Sequence, residues 1–338
     1  MQALYIDEPL TARLGEVSEP KMGNGDVLLK IRVIGFCGTD LSTFRGKNPL
    51  VSYPRIPGHE IAATILETGR DVPAEFSVGR NVAVLPYNNC GQCASCLRQR
   101  PNACLNNKTL GVQQDGALST LFSVPWQKLY PADRLGLREL ALVEPLAVGF
   151  HAIQRGRVEA QDVVAVVGCG TVGLSAIAAA SARGATVIAI DLDDAKLALA
   201  RLAGAAHTIN SRTQDAGALL KELTAGHGPD VVVEAVGTPD TFRFAVEQVA
   251  YTGRVVYIGY AKEPVAYETR LFILKELDIL GARNSATEFP TVIEMLEAGR
   301  FPVEATISKT VPFAEAAEAL AAWNAAPLAF TKIHIQVS

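Results

Sequence analysis

The stretch Asp162-Val-Val-Ala-Val-Val-Gly-Cys-Gly-Thr-Val-Gly173 largely determines how the second half of the chain folds. Residues 162–167 form a β-branched run with no polar face, which is typical of a strand buried on both sides of a parallel sheet. Residues 174–183 are rich in alanine and have high helix propensity, and Gly184 closes that segment. A second apolar run, residues 186–190, ends at Asp191. The stretch therefore predicts a strand, a helix and a second, parallel strand.

The turn between the first strand and the helix has the pattern G-x-G-x-x-G. Gly168 allows a tight turn, Gly170 lets the backbone approach a pyrophosphate, and Gly173 lets the helix pack on the strand. The N–H groups at the start of the helix, at Thr171 and Val172, attract phosphate charge. The pattern alone is often only a turn, but the flanking strands favour a dinucleotide site.

Asp191 ends the second strand, about 20 residues past the glycines. A carboxylate at this place accepts a hydrogen bond from an adenosine ribose 2′-hydroxyl and repels a 2′-phosphate. The sequence therefore predicts NAD rather than NADP as the cofactor.

Strands and helices continue to alternate after Asp191, which predicts a doubly wound parallel sheet. Strands are predicted at residues 207–210, 230–236, 254–259 and 279–282, with helices at 194–203, 216–224 and 241–249. The first 150 residues are instead rich in short strands and turns, with strands at 26–34, 58–66 and 81–85 and a helix at 139–155. The tail has helices at 289–298 and 313–323 and returns to β character at 332–337, so we expect it to rejoin the first domain.

Composition excludes several classes of function. The 338 residues carry a net charge of −4 without a basic run, which argues against a nucleic-acid or anionic-membrane partner. The N-terminus has no basic start or apolar core of a signal peptide, and no apolar stretch is long enough to span a bilayer. We therefore expect a cytoplasmic protein. Four of the six cysteines fall between Cys90 and Cys104, which favours metal binding over disulfides.

Five features occur in a fixed order along the chain: Cys37-Gly-Thr-Asp40, Gly58-His-Glu60, the four clustered cysteines, Glu144-Pro145 and the glycine turn. Together they resemble the zinc-dependent medium-chain alcohol and polyol dehydrogenases, over nearly the whole chain. The resemblance implies an α/β protein with a GroES-like catalytic domain at 1–150 and a Rossmann NAD-binding domain at 151–288. It also implies a structural zinc lobe at about 88–106 and a C-terminal segment, 289–338, that rejoins the catalytic domain.

The four clustered cysteines have the spacing Cys90-x2-Cys93-x2-Cys96-x7-Cys104. Four thiolates close a tetrahedral shell around Zn²⁺ and leave no position for a substrate, so this spacing predicts a structural site. The alternative is a set of loop cysteines that bind no metal.

A catalytic zinc needs fewer protein ligands and one open position. Cys37 and His59 offer a thiolate and an imidazole, and Glu60 or Glu144 a carboxylate. The resemblance implies that Asp40 orients the zinc histidine and that Glu60 is the inner carboxylate. Glu144 could equally be an acidic residue near the start of a helix, so the choice between Glu60 and Glu144 stays open.

The resemblance also implies the chemistry, with two zinc ions in each subunit. One zinc lowers the pKa of a bound alcohol, and a hydride then leaves the carbinol carbon for NAD. Thr39 would hydrogen-bond the alcohol and pass its proton outward. Many relatives have a histidine two residues after Asp40, and this chain has Ser42, so the outer proton route stays open, with water and the ribose hydroxyls as alternatives.

Cofactor contacts are expected from residues beyond the glycine turn. Lys196 matches the family's partner of Asp191 at the adenosine ribose, although a lysine there is often only solvated. Val236, Ile258 and Gly259 end successive strands at the sheet edge where such folds place ligands. Arg283 resembles the arginine that contacts polyol hydroxyls or cofactor phosphate in sorbitol dehydrogenases.

Three stretches, residues 52–59, 111–116 and 281–287, resemble bacterial sugar-acid and polyol dehydrogenases of the L-galactonate oxidoreductase kind. Arg45, Arg55 and Arg283 are candidates to bind a substrate carboxylate, and Asn284 a hydroxyl. Each arginine is alternatively a solvated surface charge. The expected partner is a small polyol or sugar acid, and the resemblance implies a homodimer or homotetramer.

Other functions stay open at this point. Within enzymes, the alternative is a simpler secondary-alcohol or threonine-type dehydrogenase. From another class, the alternative is a nucleotide-binding protein that has lost catalysis, or a zinc-free quinone reductase. Both of these are disfavoured because all the candidate metal ligands are present.

Overall fold

The computed structural model describes residues 1–338. The chain divides into two compact units. The first contains Met1–Glu144, Phe289–Glu297 and Val303–Ser338, and the second contains Pro145–Glu288 and Ala298–Pro302. None of the helices combines the length and apolar character needed to cross a membrane.

The first unit is rich in strands. Its strands are β1 (Gln2–Glu8), β2 (Thr11–Glu16), β3 (Asp26–Phe36), β4 (Glu60–Thr68), β5 (Asn81–Val84), β6 (Tyr87–Asn88), β7 (Lys108–Thr109), β8 (Leu121–Pro125), β9 (Leu129–Pro131), β16 (Ile307–Pro312) and β17 (Lys332–Gln336). Its helices are α1 (Gly38–Phe44), α2 (Ala94–Leu97), the first part of α3 (Leu137–Arg155), α9 (Phe289–Glu297), α10 (Val303–Thr306) and α11 (Ala316–Ala325).

Seven strands of this unit form one sheet, in the order β16-β17-β3-β4-β5-β9, with β8 also paired to β3. The long strand β3 is central, because it pairs antiparallel with β4, β8 and β17. Its residues alternate in burial, and Val27, Leu29 and Ile31 pack into a core of strand and α11 side chains. The C-terminal strand β17 pairs with β3 of the N-terminal part of the chain.

The second unit alternates strands with helices. Its strands are β10 (Val163–Val167), β11 (Thr186–Asp191), β12 (His207–Asn210), β13 (Val231–Glu234), β14 (Arg254–Tyr257) and β15 (Asp278–Gly281). Its helices are the rest of α3, α4 (Thr171–Ala182), α5 (Asp194–Leu202), α6 (Ala216–Leu223), α7 (Pro239–Gln248) and α8 (Arg270–Leu274).

All six strands of this unit are parallel and lie in the order β12-β11-β10-β13-β14-β15. The order reverses direction at β10, which is the doubly wound arrangement. The predicted fold class, a β-rich unit plus a doubly wound parallel sheet, is confirmed. Predicted boundaries shift by a few residues where a cap decides them: α7 begins at Pro239 because the Thr238 side chain caps it.

The glycine turn between β10 and α4 is fixed by steric limits. Gly168 has a φ of +94°, which favours glycine. A Cβ at Gly173 would lie 1.8 Å from the carbonyl oxygen of Gly168, so only glycine allows α4 to begin so close to the strand. A Cβ at Gly170 would meet nothing within 4 Å, so this face of the turn is open to an incoming group.

Candidate metal and dinucleotide sites

Cys37, His59 and Glu60 lie together in the first unit. Their donor atoms are all within 4.8 Å of one another. Strand pairing explains why these three residues lie close together, because Gly35 in β3 lies opposite Glu60, the first residue of β4. Cys37 follows β3 and His59 precedes β4, so both reach the same end of the strand pair. A thiolate, an imidazole and a carboxylate form a donor set that suits Zn²⁺.

Asp40 contacts two members of this group. Its Oδ2 accepts a hydrogen bond from the backbone N–H of Cys37 at 2.9 Å, which caps α1. Its Oδ1 lies 3.8 Å from Nδ1 of His59, and neither atom has a hydrogen-bond partner although both are buried. Asp40 therefore holds the cysteine backbone and faces the histidine ring.

The charges around His59 explain its proton affinity. Burial favours the neutral ring, but the negative charges of Asp40 and Cys37 outweigh burial and raise the pKa of His59 well above its usual value. Burial also raises the pKa of Asp40. A buried histidine that attracts a proton so strongly lies in a field that suits a cation, which supports the fit of a metal ion to this group.

Of the two candidate carboxylates, Glu60 belongs to the donor group and Glu144 lies beside it. Lys332 donates from Nζ to Oε1 of Glu60 at 2.6 Å and to the carbonyl oxygen of Phe36 at 3.0 Å. Glu144 instead accepts a hydrogen bond from the Tyr87 hydroxyl. Burial raises the pKa of Glu144 to about 7, against a lowering by His59.

Thr39 and Ser42 lie on α1, next to the donor group. The sulfur of Cys37 is 3.6 Å from Oγ1 of Thr39. Both hydroxyl-bearing residues are half-buried. Thr39 is therefore at contact distance from a metal-ligating candidate, and Ser42 lies one turn later.

Cys90, Cys93, Cys96 and Cys104 form a second donor group, again within 4.8 Å, and none forms a disulfide. Sulfur–sulfur distances are 3.5 Å for Cys93–Cys96, 3.5 Å for Cys90–Cys104 and 3.8 Å for Cys93–Cys104. Metal–sulfur bonds of about 2.3 Å in a tetrahedron give sulfur–sulfur edges of about 3.8 Å. The four sulfurs therefore already have the spacing of a zinc tetrathiolate.

Thiol acidity varies within this group. The Ser95 hydroxyl and the backbone N–H of Cys96 lower the pKa of Cys93 to about 5. Partial desolvation, followed by the neighbouring thiols, raises the pKa of Cys96 to about 11. The group thus holds an easily formed thiolate, the form that binds zinc.

Asp191 connects the second strand of the parallel sheet to the glycine turn. Its Oδ2 accepts from the N–H of Cys169 at 2.7 Å, and its Oδ1 accepts from the N–H of Leu192 at 2.7 Å. The ammonium group of Lys196 is close enough to lower the pKa of Cys169, which burial raises strongly. Asp191 therefore shapes the turn in addition to its expected contact with a ribose.

Glu234 orders the loop after β13 and is absent from the sequence-based prediction. It is fully buried, and its Oε1 accepts from the N–H groups of Val236 and Gly237. Val236 is about half exposed at this edge of the sheet. Ile258 and Gly259 follow β14 at the same edge, and both their N–H groups bind the Glu234 carbonyl.

The arginines expected to bind substrate are engaged by protein groups. Arg45 donates to Oδ1 and the carbonyl oxygen of Asn324 at 2.7 and 3.1 Å. Arg55 donates to Asp115 and to Ser52, both at 2.9 Å. Arg283 and Asn284 follow β15 in the second unit, where Asn284 has a left-handed φ of +55°.

Lys332 and Tyr87 are the residues near the first donor group that the sequence-based prediction missed. Lys332 lies in the predicted C-terminal strand and is 4% exposed, which is unusual for a lysine. Tyr87 lies three residues before the first clustered cysteine, where no motif marks it. A lysine in a C-terminal strand that rejoins the core is the one sequence signal that could have indicated a buried charge.

Comparisons with known proteins agree with this geometry. Residues 23–134 match the family model described as "Alcohol dehydrogenase GroES-like domain", and residues 171–298 match "Zinc-binding dehydrogenase". The chain is 32% identical to L-galactonate-5-dehydrogenase of Escherichia coli K12 over 94% of each chain. It is 34% identical to sorbitol dehydrogenase of Bacillus subtilis, over 88% of this chain and 86% of the relative.

Solved structures show the same fold. An alcohol dehydrogenase (rspB) of Escherichia coli CFT073, complexed with NADH, superposes with a TM-score of 0.92 and 29% identity, covering 100% of this chain and 99% of that one. A zinc-binding dehydrogenase of Sinorhizobium meliloti, bound to NADP, has a TM-score of 0.91 and 26% identity, covering 99% of each chain.

Proposed function

This chain belongs to the zinc-type alcohol and polyol dehydrogenase family, and from that membership we propose that it oxidises a secondary alcohol of a polyol or sugar acid with NAD. The observation that carries the proposal is the convergence of Cys37, His59 and Glu60 to within 4.8 Å. Two relatives are named as dehydrogenases of L-galactonate and of sorbitol, and these names support a polyol or sugar acid as the substrate.

In this proposal Cys37, His59 and Glu60 hold a catalytic zinc, and the four clustered cysteines hold a second, structural zinc. A zinc ion bound at the first group supplies Lewis acidity, which lowers the pKa of an alcohol beside it. Asp40 keeps the His59 ring oriented, and its hydrogen bond to the Cys37 N–H keeps the thiolate in place.

Proton removal falls to the hydroxyl groups of α1. Thr39 accepts a hydrogen bond from the substrate hydroxyl and, as it takes that proton, releases its own proton outward to solvent. Ser42, one turn along α1, is the next hydroxyl on this route.

NAD, when bound, supplies the hydride acceptor. The open face of Gly170 and the N–H groups at the start of α4 would receive its pyrophosphate. Asp191 would accept from the adenosine ribose and disfavour the 2′-phosphate of NADP.

A substrate screen followed by NADH absorbance tests the proposal. L-galactonate, sorbitol, L-threonine and 2-butanol are offered with NAD, with and without a chelator. We expect turnover of a polyhydroxylated compound that the chelator abolishes. Turnover of only L-threonine or 2-butanol would assign the simpler dehydrogenase, and full activity in protein with no zinc would refute the Lewis-acid mechanism.

One observation favours a neutral polyol over a sugar acid. The guanidinium groups of Arg45 and Arg55 already donate to Asn324 and Asp115, so a substrate carboxylate would have to share each group with a protein partner. If the natural substrate is a neutral polyol, kcat/KM for sorbitol in the same screen should equal or exceed kcat/KM for L-galactonate. The reverse order would restore the arginines as carboxylate ligands.

A further inference from the structure

Two residues on one face of α3 contact the two ends of the segment Gly281–Glu288. Arg155 donates from Nε to the carbonyl oxygen of Gly281 at 3.3 Å, and Nδ1 of His151 lies 2.8 Å from Oε1 of Glu288. Residues four apart in a helix lie one turn apart on the same face. A single face of α3 therefore holds this segment at both ends.

At the Glu288 end the contact is buried, and both carboxylate oxygens have hydrogen-bond partners. His151 and Glu288 are 6% and 5% exposed. The second carboxylate oxygen, Oε2, accepts from the N–H groups of Ala286 and Thr287 at 2.6 and 2.8 Å. Burial opposes the charge of Glu288, but the bond from His151 and these N–H groups outweigh it and lower the pKa of Glu288. The carboxylate thus fixes its own segment to α3.

The segment lies where this fold binds ligands. It follows the carboxyl end of β15, at the same sheet edge as the glycine turn after β10. Open parallel sheets bind their ligands along that edge. Asn284 has a left-handed φ of +55°, a conformation that asparagine adopts more readily than most residues. Ser285 is 2% exposed, and its hydroxyl has no partner among the protein groups.

We propose that His151 and Glu288 are a positioning pair that keeps Arg283 and Asn284 in the arrangement that binds the dinucleotide. Neither member of the pair touches the ligand, because both are buried beneath the segment they hold. Arg283, a permanent cation that follows β15, is the residue through which the pair acts on the bound dinucleotide. The inference rests on the proposed use of a dinucleotide by this protein.

The test compares variants of the full chain, using NADH fluorescence to measure Kd and steady-state kinetics to separate KM from kcat. His151→Leu removes the donor, and His151→Asn keeps an N–H donor near the position of Nδ1. We expect His151→Leu to weaken NADH binding by about 10-fold, the worth of one buried hydrogen bond, and His151→Asn to restore it to within about 3-fold.

Arg157→Ala is the matched control, because Arg157 pairs with Asp278 at the amino end of the same strand, β15, and that pair is exposed. It should leave the Kd for NADH unchanged. The double variant His151→Leu/Arg283→Ala should bind NADH no more weakly than Arg283→Ala alone, because the pair acts through Arg283. A merely structural role of His151 would give additive losses.

The outcomes separate this inference from the proposed function. If the unaltered protein binds neither NADH nor NADPH, the dinucleotide proposal and this inference both fall. If it binds NADH and His151→Leu binds equally well, only the positioning role is overturned. If His151→Leu does not fold, Glu288→Gln, which keeps one acceptor oxygen and the volume, is measured in its place with the same expected loss.

Discussion

Lys332, the first residue of the C-terminal strand β17, neutralises Glu60, the first residue of β4, through a buried ion pair with Nζ 2.6 Å from Oε1. The two residues are 272 positions apart in the chain, and both side chains are nearly inaccessible to water. A glycine on the neighbouring strand also makes this pair possible. Gly35 lies opposite Glu60, and a Cβ there would be 2.0 Å from Oε2, so glycine makes room for the carboxylate.

Removing the cation from this pair should be costly in metal-free protein. Lys332→Met leaves Glu60 buried and unpaired, and we expect the free energy of unfolding to fall by about 3–5 kcal/mol. A zinc ion at the donor group would balance the negative charge of Glu60 in place of Lys332. The loss in the free energy of unfolding should therefore be smaller in zinc-loaded protein. Urea unfolding with and without zinc measures both values.

Arg243→Ala is the control for this loss, because it breaks an exposed ion pair with Asp240. Such pairs are worth under about 1 kcal/mol. Equal losses for Lys332→Met and Arg243→Ala would show that Glu60 reaches water or another cation when Lys332 is removed.

Separate replacements of Glu60 and Glu144 distinguish the direct ligand. Glu60 lies in the donor group, whereas Glu144 is hydrogen-bonded to Tyr87 beside it. We expect Glu60→Gln to weaken Co²⁺ binding at this site by about 100-fold or more and to change its visible absorption. Glu144→Gln, acting on an outer contact, should cost about 10-fold or less with the spectrum kept. The opposite ranking would make Glu144 the ligand.

The parallel sheet and its glycine turn could be predicted because their signals are local. Val163–Val167 has no polar residue, and the glycines follow it directly, so neighbouring residues alone specify strand, turn and helix. Cys37 and His59 could be predicted for the same reason, since each stands within a short motif.

The rest of the site depends on contacts between distant parts of the chain. The alternation in Lys332–Gln336 indicates a strand, but it does not show that Lys332 and His334 are both buried, or that Lys332 pairs with Glu60. Arg45 binds Asn324, 279 residues away, and nothing near Arg45 in the sequence indicates this partner. No local pattern carries such pairings.

Cofactor choice should depend on the charge of Asp191. Asp191→Asn removes the repulsion of a 2′-phosphate and weakens the bond to a ribose hydroxyl. We expect the ratio of kcat/KM for NAD to that for NADP to fall by about 10- to 100-fold, since a hydrogen bond to a charged group is worth about 1.5–3 kcal/mol. The variant also loses an acceptor for the glycine turn, which affects both cofactors alike, so the ratio is the quantity to measure.

Asp193→Asn is the matched control for cofactor choice. Asp193 lies two residues along and caps α5 by accepting from Ala195 and Lys196, so the substitution removes the same charge without touching the end of β11. Its cofactor ratio should stay near that of the unaltered protein. A ratio that changes equally in both variants would attribute the preference to net charge around the turn.

His334 should make the first unit sensitive to acid. The residue is fully buried in β17, and both ring nitrogens lack a protein partner. Burial, followed by the charges of Lys332 and Arg138, lowers its pKa to about 3 from an ordinary 6.5. Below pH 6.5 His334 therefore binds a proton in the unfolded chain but not in the folded chain. Stability is consequently lost as the pH falls from 6.5 towards 3.

One such histidine accounts for a loss of about 2 kcal/mol in the free energy of unfolding between pH 7 and pH 5. His334→Leu cannot titrate, so its free energy of unfolding should fall by about 2 kcal/mol less over the same range. Urea unfolding at pH 5, 6 and 7 measures the difference, with His227→Gln, a substitution of an exposed histidine, as the control. Parallel pH profiles for the unaltered protein and His334→Leu would mean that the buried ring takes up its proton without unfolding.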